Sequence, residues 1–383
     1  MKQKILLPSY FEDFSCIGGI CEDTCCAGWT IAIDELTYKK YKKVKNPILK
    51  KRLDKELVAK KGAMSKEYVA KIKLKNNRCA FLSPDGWCDL YKELGESYLS
   101  QTCQLFPRTI NQVNGTLEYS LALSCPEAAR KILLNKEHIT FEETMKETSK
   151  VVISAVLQID ENHPKVLKDY FLTIRKTLIG ILEQDGMSLM NRWLQLEDLM
   201  TKLHRLCLSG GVKKIPELLS KASLPCDSSR HSQKEEDCKM PFGLLERLEQ
   251  MQKEKKWHSP RYEQCYQEML SGLGETREEI EVAYNKGYTC YVQPFLEENA
   301  YILENYFVNY IYERLVPLDG DTVLKSYHQL LLYKQLIMLH LAGMGNTHQH
   351  LTKERVVSFL QAFTKVFDHN ELLRQQLIKS LDL

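Results

Sequence analysis

The chain has 383 residues, enough for two domains, since single cores seldom grow beyond about 250–300 residues. Hydrophobic residues make up 44% and charged residues 27%, a globular profile, and a net charge of only +3 gives no general affinity for nucleic acid or membrane. The run Ile5-Leu6-Leu7, ended by Pro8, is too short for a secretory signal, and no apolar stretch approaches the ~18 residues of a membrane span, so a cytoplasmic protein is expected.

Taken in order, the first ten residues suggest a short strand, followed at once by a dense group of thiols: Cys16, Cys21, Cys25 and Cys26. Gly18 and Gly19 allow the tight turn that lets such thiols converge. Trp29 to Ile33 reads as a short buried extension, and Asp34 as the N-cap of a helix with Tyr38, Tyr41 and Val44 on one face. Between Lys39 and Lys75 the basic residues far outnumber Asp54, Glu56 and Glu67; aromatic residues are sparse there, which speaks for a solvated lysine face and against nucleic-acid binding. A helix is expected from Ile48 to about Lys61 and a half-buried strand over Lys71–Lys75. Ser83-Pro84-Asp85-Gly86 is a turn that makes Cys79 and Cys88 the two arms of a hairpin. Tyr98 to Gln104 predicts one or two helical turns carrying Cys103. Asn114-Gly115 is a hairpin signal with Glu118 to Leu123 returning, and Cys125-Pro126 opens a helix.

From Phe141 onward the pattern is almost entirely helical. Leu167 to Leu182, Ser188 to Cys207, Tyr301 to Leu315, Val323 to Leu341 and Val356 to Phe367 each carry apolar residues at helical spacing. Gly343-Met344-Gly345-Asn346 reads as a helix end, and no G-x-G-x-x-G follows a strand. The expected fold is therefore mostly α: a small cysteine-rich α+β N-terminal domain of short strands and hairpins over residues 1–136, then an all-helical domain over 137–383, with a linker at about 222–240 and no Rossmann-type sheet.

Eight of the thirteen cysteines lie in the first third: Cys16, Cys21, Cys25, Cys26, Cys79, Cys88, Cys103 and Cys125. A reducing cytosol disfavours a disulfide scaffold, which makes these eight the candidate metal ligands. Their spacing matches neither the C-x2-C pairs of zinc ribbons nor the C-x3-C-x2-C of radical AdoMet enzymes, where Gly28 stands at the third cysteine position. Spacing leaves zinc and iron–sulfur both open, as it does one site or two. Cys207, Cys226, Cys238, Cys265 and Cys290 read as ordinary thiols, and His348-x-His350 as a solvated pair.

The segments Cys16 to Trp29, Cys79-Ala80-Phe81-Leu82 with Gly86-Trp87-Cys88, Leu99 to Arg108, and Ser124 to Arg130 together resemble the FliB-type flagellin lysine-N-methylases. The N-terminal region is also similar to the wider zinc- or iron-chelating cysteine-cluster proteins, and Glu304 to Tyr310 resembles the methylases' C-terminal helix motif. The resemblance implies transfer of methyl groups from S-adenosyl-L-methionine (AdoMet) to lysines of flagellin, by a protein carrying an iron–sulfur cluster, 4Fe–4S in type. Asn305, Tyr306, Asn309 and Tyr310 are candidates for the methyl donor's site by residue type, beside the plainer reading of a buried helix packing its tyrosines. The alternative function is a non-enzymatic zinc- or iron-binding interaction module.

Overall fold

Residues 2–60, 66–147, 151–222, 240–257, 259–368 and 370–381 are described in a computed structural model of the chain. Cys226, Cys238, His369 and nearly all of the expected linker at 222–240 lie outside the described residues.

The N-terminal part runs through β1 (Lys2–Pro8), β2 (Ala32–Ile33), α1 (Glu35–Lys42), α2 (Pro47–Glu56), β3 (Leu57–Ala59), β4 (Ala70–Ile72), β5 (Leu74–Lys75) and β6 (Arg78–Cys79). It continues with α3 (Asp89–Leu94), α4 (Gln101–Leu105), β7 (Arg108–Val113), β8 (Thr116–Leu121), α5 (Pro126–Leu133), β9 (Phe141–Glu147) and β10 (Ala155–Leu157). Helices follow: α6 (Phe171–Leu182), α7 (Leu189–Leu208), α8 (Ile215–Ala222), α9 (Phe242–Lys253), α10 (Pro260–Ser271), α11 (Arg277–Gly287), α12 (Gln293–Arg314), α13 (Val323–His348), α14 (Lys353–Phe367) and α15 (Glu371–Ile378). A small α+β region thus precedes an all-helical one, and no Rossmann-type sheet is present among the described residues.

Five strands form the main sheet in the order β10-β7-β8-β1-β9. Asn114 and Gly115, both at positive φ, make the two-residue turn between the antiparallel strands β7 and β8. Strand β1 lies inside the sheet, parallel to β8 and antiparallel to β9, with Ile5 and Leu7 buried against Ile110 and Leu117. A second sheet, β2-β4-β3, and the β5-β6 pair support the cysteine segments beside α1 and α2. Asp34 caps α1, its carboxylate accepting from the Thr37 amide at 2.8 Å.

The structure corrects three expectations. The helix begun at Pro47 ends at Glu56 and the chain continues as β3, pairing antiparallel with β4. Phe141–Glu147 is a strand rather than helix: its charged side chains are exposed at the sheet edge while its backbone pairs with β1. Helix α13 does not stop near Leu341 but continues to His348, because Gly343 packs against the backbone of α10 instead of ending a turn.

Helix α12 is the centre of the helical part, buried on nearly all sides from Ile302 to Tyr312. It meets α5, α6, α7 and β8, so one continuous core runs from Leu121, Ala128 and Ile132 into Phe307, Leu336 and Phe363. Each of the larger of these side chains contributes about 1.5–3 kcal/mol through burial.

Candidate metal centre

Gly18 and Gly19 turn the thiol stretch under the indole of Trp87. A Cβ on Gly18 would lie 2.3 Å from that ring, and one on Gly19 equally close to its nitrogen, so only glycine permits the approach. Next, the Cys26 carbonyl accepts from the Cys79 amide at 2.7 Å, which draws the first cysteine segment onto the hairpin carrying Cys79 and Cys88. Trp29 donates its ring N–H to the Cys25 carbonyl at 2.6 Å and pins the other end of the stretch.

The eight thiols fall into overlapping neighbourhoods. Cys26, Cys79, Cys88 and Cys103 share one small core with Ile31, Tyr41 and Phe81. Cys125 lies near Cys21 and Cys25, and Cys25 also bears on Cys88 and Cys103. Cys16 is exposed, with its Sγ accepting from the Gly18 amide at 3.4 Å. All eleven described cysteines are free thiols.

Burial pushes Cys79, Cys103 and Cys125 up to about 12 and raises Cys21 and Cys88. Cys25 is raised first by its hydrogen bond with Cys26 and then by burial. Backbone amides work the other way. The Phe81 N–H points at the Cys79 sulfur at 3.4 Å. Cys88 and Cys125 occupy the N-cap positions of α3 and α5; the first-turn amides lie outside hydrogen-bonding geometry yet favour the thiolates. Burial and mutual crowding thus favour the neutral thiols, and the N–H groups facing them only partly oppose this. Thiols are the soft donors that zinc and iron–sulfur clusters take, so the residue types suit such a group, but among the described residues no three His, Cys, Asp or Glu side chains stand in metal-holding geometry.

The segment between Cys21 and Cys25 is tied to the helical part. Glu22 accepts from Arg130 of α5 at 2.5 Å and lies 3.8 Å from Arg261 of α10. Burial, the largest single influence, opposes ionisation of Glu22, but the Arg130 hydrogen bond, its own backbone amide and the Arg130 and Arg261 charges together hold the carboxyl below its usual value. Asp23 accepts from Lys365 of α14 at 2.7 Å and from Gln361 at 3.0 Å. The sequence offered little sign of this tie: two acids among cysteines were visible, but their partners lie far along the chain.

The other candidates sit elsewhere. Asn305 donates to the carbonyls of Ile132 and Asn135, and Asn309 to that of Leu121 while accepting from Tyr10. Tyr306 is 1% exposed and Tyr310 5%, packed against Phe307 and Tyr333 respectively. Asn305 and Asn309 thus tie α12 to α5 and β8, while Tyr306 meets Thr364 of α14 and Tyr310 meets Gln329 and Tyr333 of α13. His348 pairs with Glu268 at 3.0 Å and His350 turns to the His348 carbonyl, so the two rings do not converge.

The architecture is that of a thiol-rich α+β head joined to a buried-helix body. Residues 175–382 match the family described as the FliB lysine N-methylase C-terminal domain, more than half of the chain. The chain belongs to the FliB lysine N-methylase family. It is 32% identical over 136 residues to the lysine-N-methylases of Salmonella choleraesuis and Salmonella typhimurium, a match covering 36% of this chain and 34% of each relative. The chain therefore spans about a third of the length of these curated relatives. The flagellar biosynthetic protein FliU of Salmonella muenchen is 34% identical over 126 residues, 33% of this chain and 75% of the relative. No solved structure matches. Among the described residues no helix is long and apolar enough to cross a membrane.

Proposed function

We propose that this chain is a cytoplasmic protein-lysine N-methyltransferase that uses AdoMet to methylate flagellin and holds a metal centre, an iron–sulfur cluster of the 4Fe–4S type, on its cysteine-rich region. The observation that carries the reading is the family match across residues 175–382, in a chain that also concentrates eight thiols in its first third. The division of labour proposed is metal binding by residues 1–136 and substrate reception by 137–383. Cys16, Cys21, Cys25, Cys26, Cys79, Cys88, Cys103 and Cys125 are the ligand pool, with Cys21, Cys25 and Cys125 in one group and Cys26, Cys79, Cys88 and Cys103 in another.

A bound cluster or zinc ion would supply a fixed positive centre that holds these thiolates together and closes the head. The protein's part is to gather these sulfurs and to exclude water from them, their protons being released as the metal binds. A substrate lysine must lose its proton before it can attack a methyl carbon, because its ordinary pKa is ~10.4. Asn305, Tyr306, Asn309 and Tyr310 are engaged in packing, so no step is routed through them.

The test is anaerobic purification with metal and sulfide analysis, followed by incubation with flagellin and AdoMet. The expected outcome is a brown protein and methyl-sized mass increments on flagellin lysines. A colourless protein with stoichiometric zinc and unmodified flagellin would replace this reading with a non-enzymatic interaction module.

A further inference from the structure

Lys365 and Gln361 belong to the helical body, yet both donate into the thiol head. Together with Ser358 they lie three and four residues apart, which places them on one face of α14. Lys365 Nζ donates to Asp23 Oδ1 at 2.7 Å and to the Thr24 carbonyl at 2.9 Å; that carbonyl belongs to the peptide bond leading into Cys25. Gln361 Nε2 donates to Asp23 Oδ2 at 3.0 Å and to the Ser124 carbonyl at 2.8 Å, the peptide bond leading into Cys125. One helix face therefore grips the backbone immediately before two thiols that are about a hundred residues apart in sequence.

The charges suit the same purpose. The Lys365 side chain is 13% exposed and that of Asp23 17%, so the pair is largely out of water and each charge depends on the other. Arg130 and Arg261 offset the charge of Glu22, which together with Asp23 would otherwise disfavour the neighbouring Cys21 thiolate. A four-thiolate centre on a divalent metal, or on a cluster core of charge two, carries net negative charge, and cations placed just outside the ligands stabilise it.

We propose that Lys365 and Gln361 are positioning residues for metal coordination by Cys25 and Cys125: they hold the backbone that leads into these two thiols, and Lys365 offsets part of the thiolate charge at Cys25. Metal binding and the docking of α14 on the head are then one linked equilibrium, so the body strengthens the head's hold on its metal. This inference rests on the thiol reading given above.

The experiment uses the full chain and cobalt(II) as the probe, titrated against a chromophoric chelator and followed by thiolate-to-cobalt charge-transfer absorbance. Lys365→Met is expected to weaken cobalt binding about 10- to 100-fold, the range for loss of a group supporting metal ligands. Lys365→Arg should restore most of the affinity, because it keeps the charge and the donors. Hydrogen exchange over residues 18–27 should slow on metal binding in the parent protein and much less in Lys365→Met. If Lys365→Met fails to fold, Asp23→Asn carries the test with the same expected direction. Unchanged cobalt affinity in a folded variant overturns the positioning role alone, as does an arginine variant as weak as the methionine one. A parent protein without thiolate-to-cobalt absorbance overturns the thiol centre itself, and this inference with it.

Discussion

Arg175 is buried on α6, yet its guanidinium is doubly paired with Glu118 of β8, at 2.5 and 2.6 Å. It also lies over the rings of Phe171 and Tyr312, at 4.7 and 4.9 Å from their centroids. Two opposite charges removed from water together are tolerable, whereas one left alone is not. Arg175→Met should therefore cost about 3–5 kcal/mol in a urea melt, and Arg175→Met combined with Glu118→Leu should recover most of it. Equal losses in the single and double variants would show that the pair itself, and not the stranded carboxylate, sets the cost. The pairing was not legible in the sequence, since 57 positions separate the partners and no local pattern links a strand carboxylate to a helix guanidinium. The thiols were legible for the opposite reason: a rare, reactive residue type recurs at close spacing. The Asp23–Lys365 pair, 342 positions apart, shows where such legibility stops.

At the scale of elements, local chemistry announced what local chemistry decides. Asp34 caps α1, Asn114-Gly115 turns β7 into β8, and Pro126 opens α5 as their types require. Elements decided by distant neighbours were misread. Phe141–Glu147 carries four charged side chains in seven positions, and only pairing with β1 makes it a strand. Gly343 looked like a helix end, but it marks where two helices touch. A Cβ there would lie 2.4 Å from the Met269 carbonyl oxygen of α10, and one on Gly272 would lie 1.9 Å from the Gly343 oxygen. Gly343→Ala gains helix propensity worth about 1 kcal/mol yet forces the helices apart, so a net loss of about 1–3 kcal/mol is expected. Thermal unfolding measures it, and a stabilised variant would mean that α10 and α13 do not meet as described.

For the molecule as a whole, the large shared core makes stability respond to a single buried imidazole. His340 is 0% exposed, bonded through Nδ1 to the Leu336 carbonyl at 2.7 Å and through Nε2 to the Tyr262 hydroxyl at 3.0 Å. Burial lowers its pKa from 6.5 to about 4, against which the Leu336 carbonyl works only partly. Between these values the unfolded chain takes up a proton that the native protein refuses, so this contribution to stability is intact above pH 6.5 and is lost as pH falls toward 4. His340→Gln removes the titration. The stability gap between parent and variant should therefore shrink by up to about 3 kcal/mol from neutral pH to pH 4 in paired denaturant titrations. A gap that stays constant with pH would show that His340 is not shielded from protonation. The core that buries this ring is also why two expected domains could be proposed but not drawn apart by composition: Leu121 and Phe307 belong to the same cluster.

The interior place of β1 has a consequence for how the protein is made. Both of its neighbours, β8 and β9, are translated after it, so β1 and the thiols that follow must leave the ribosome long before β9, which ends at Glu147, can pair with it. At about 5–20 residues per second this waiting period lasts many seconds, with the first four cysteines unsheltered. The Asp23–Lys365 contact forms later still, when nearly the whole chain described here has emerged. The first four thiols thus remain without their later neighbours Cys79, Cys88, Cys103 and Cys125 until those segments have been made.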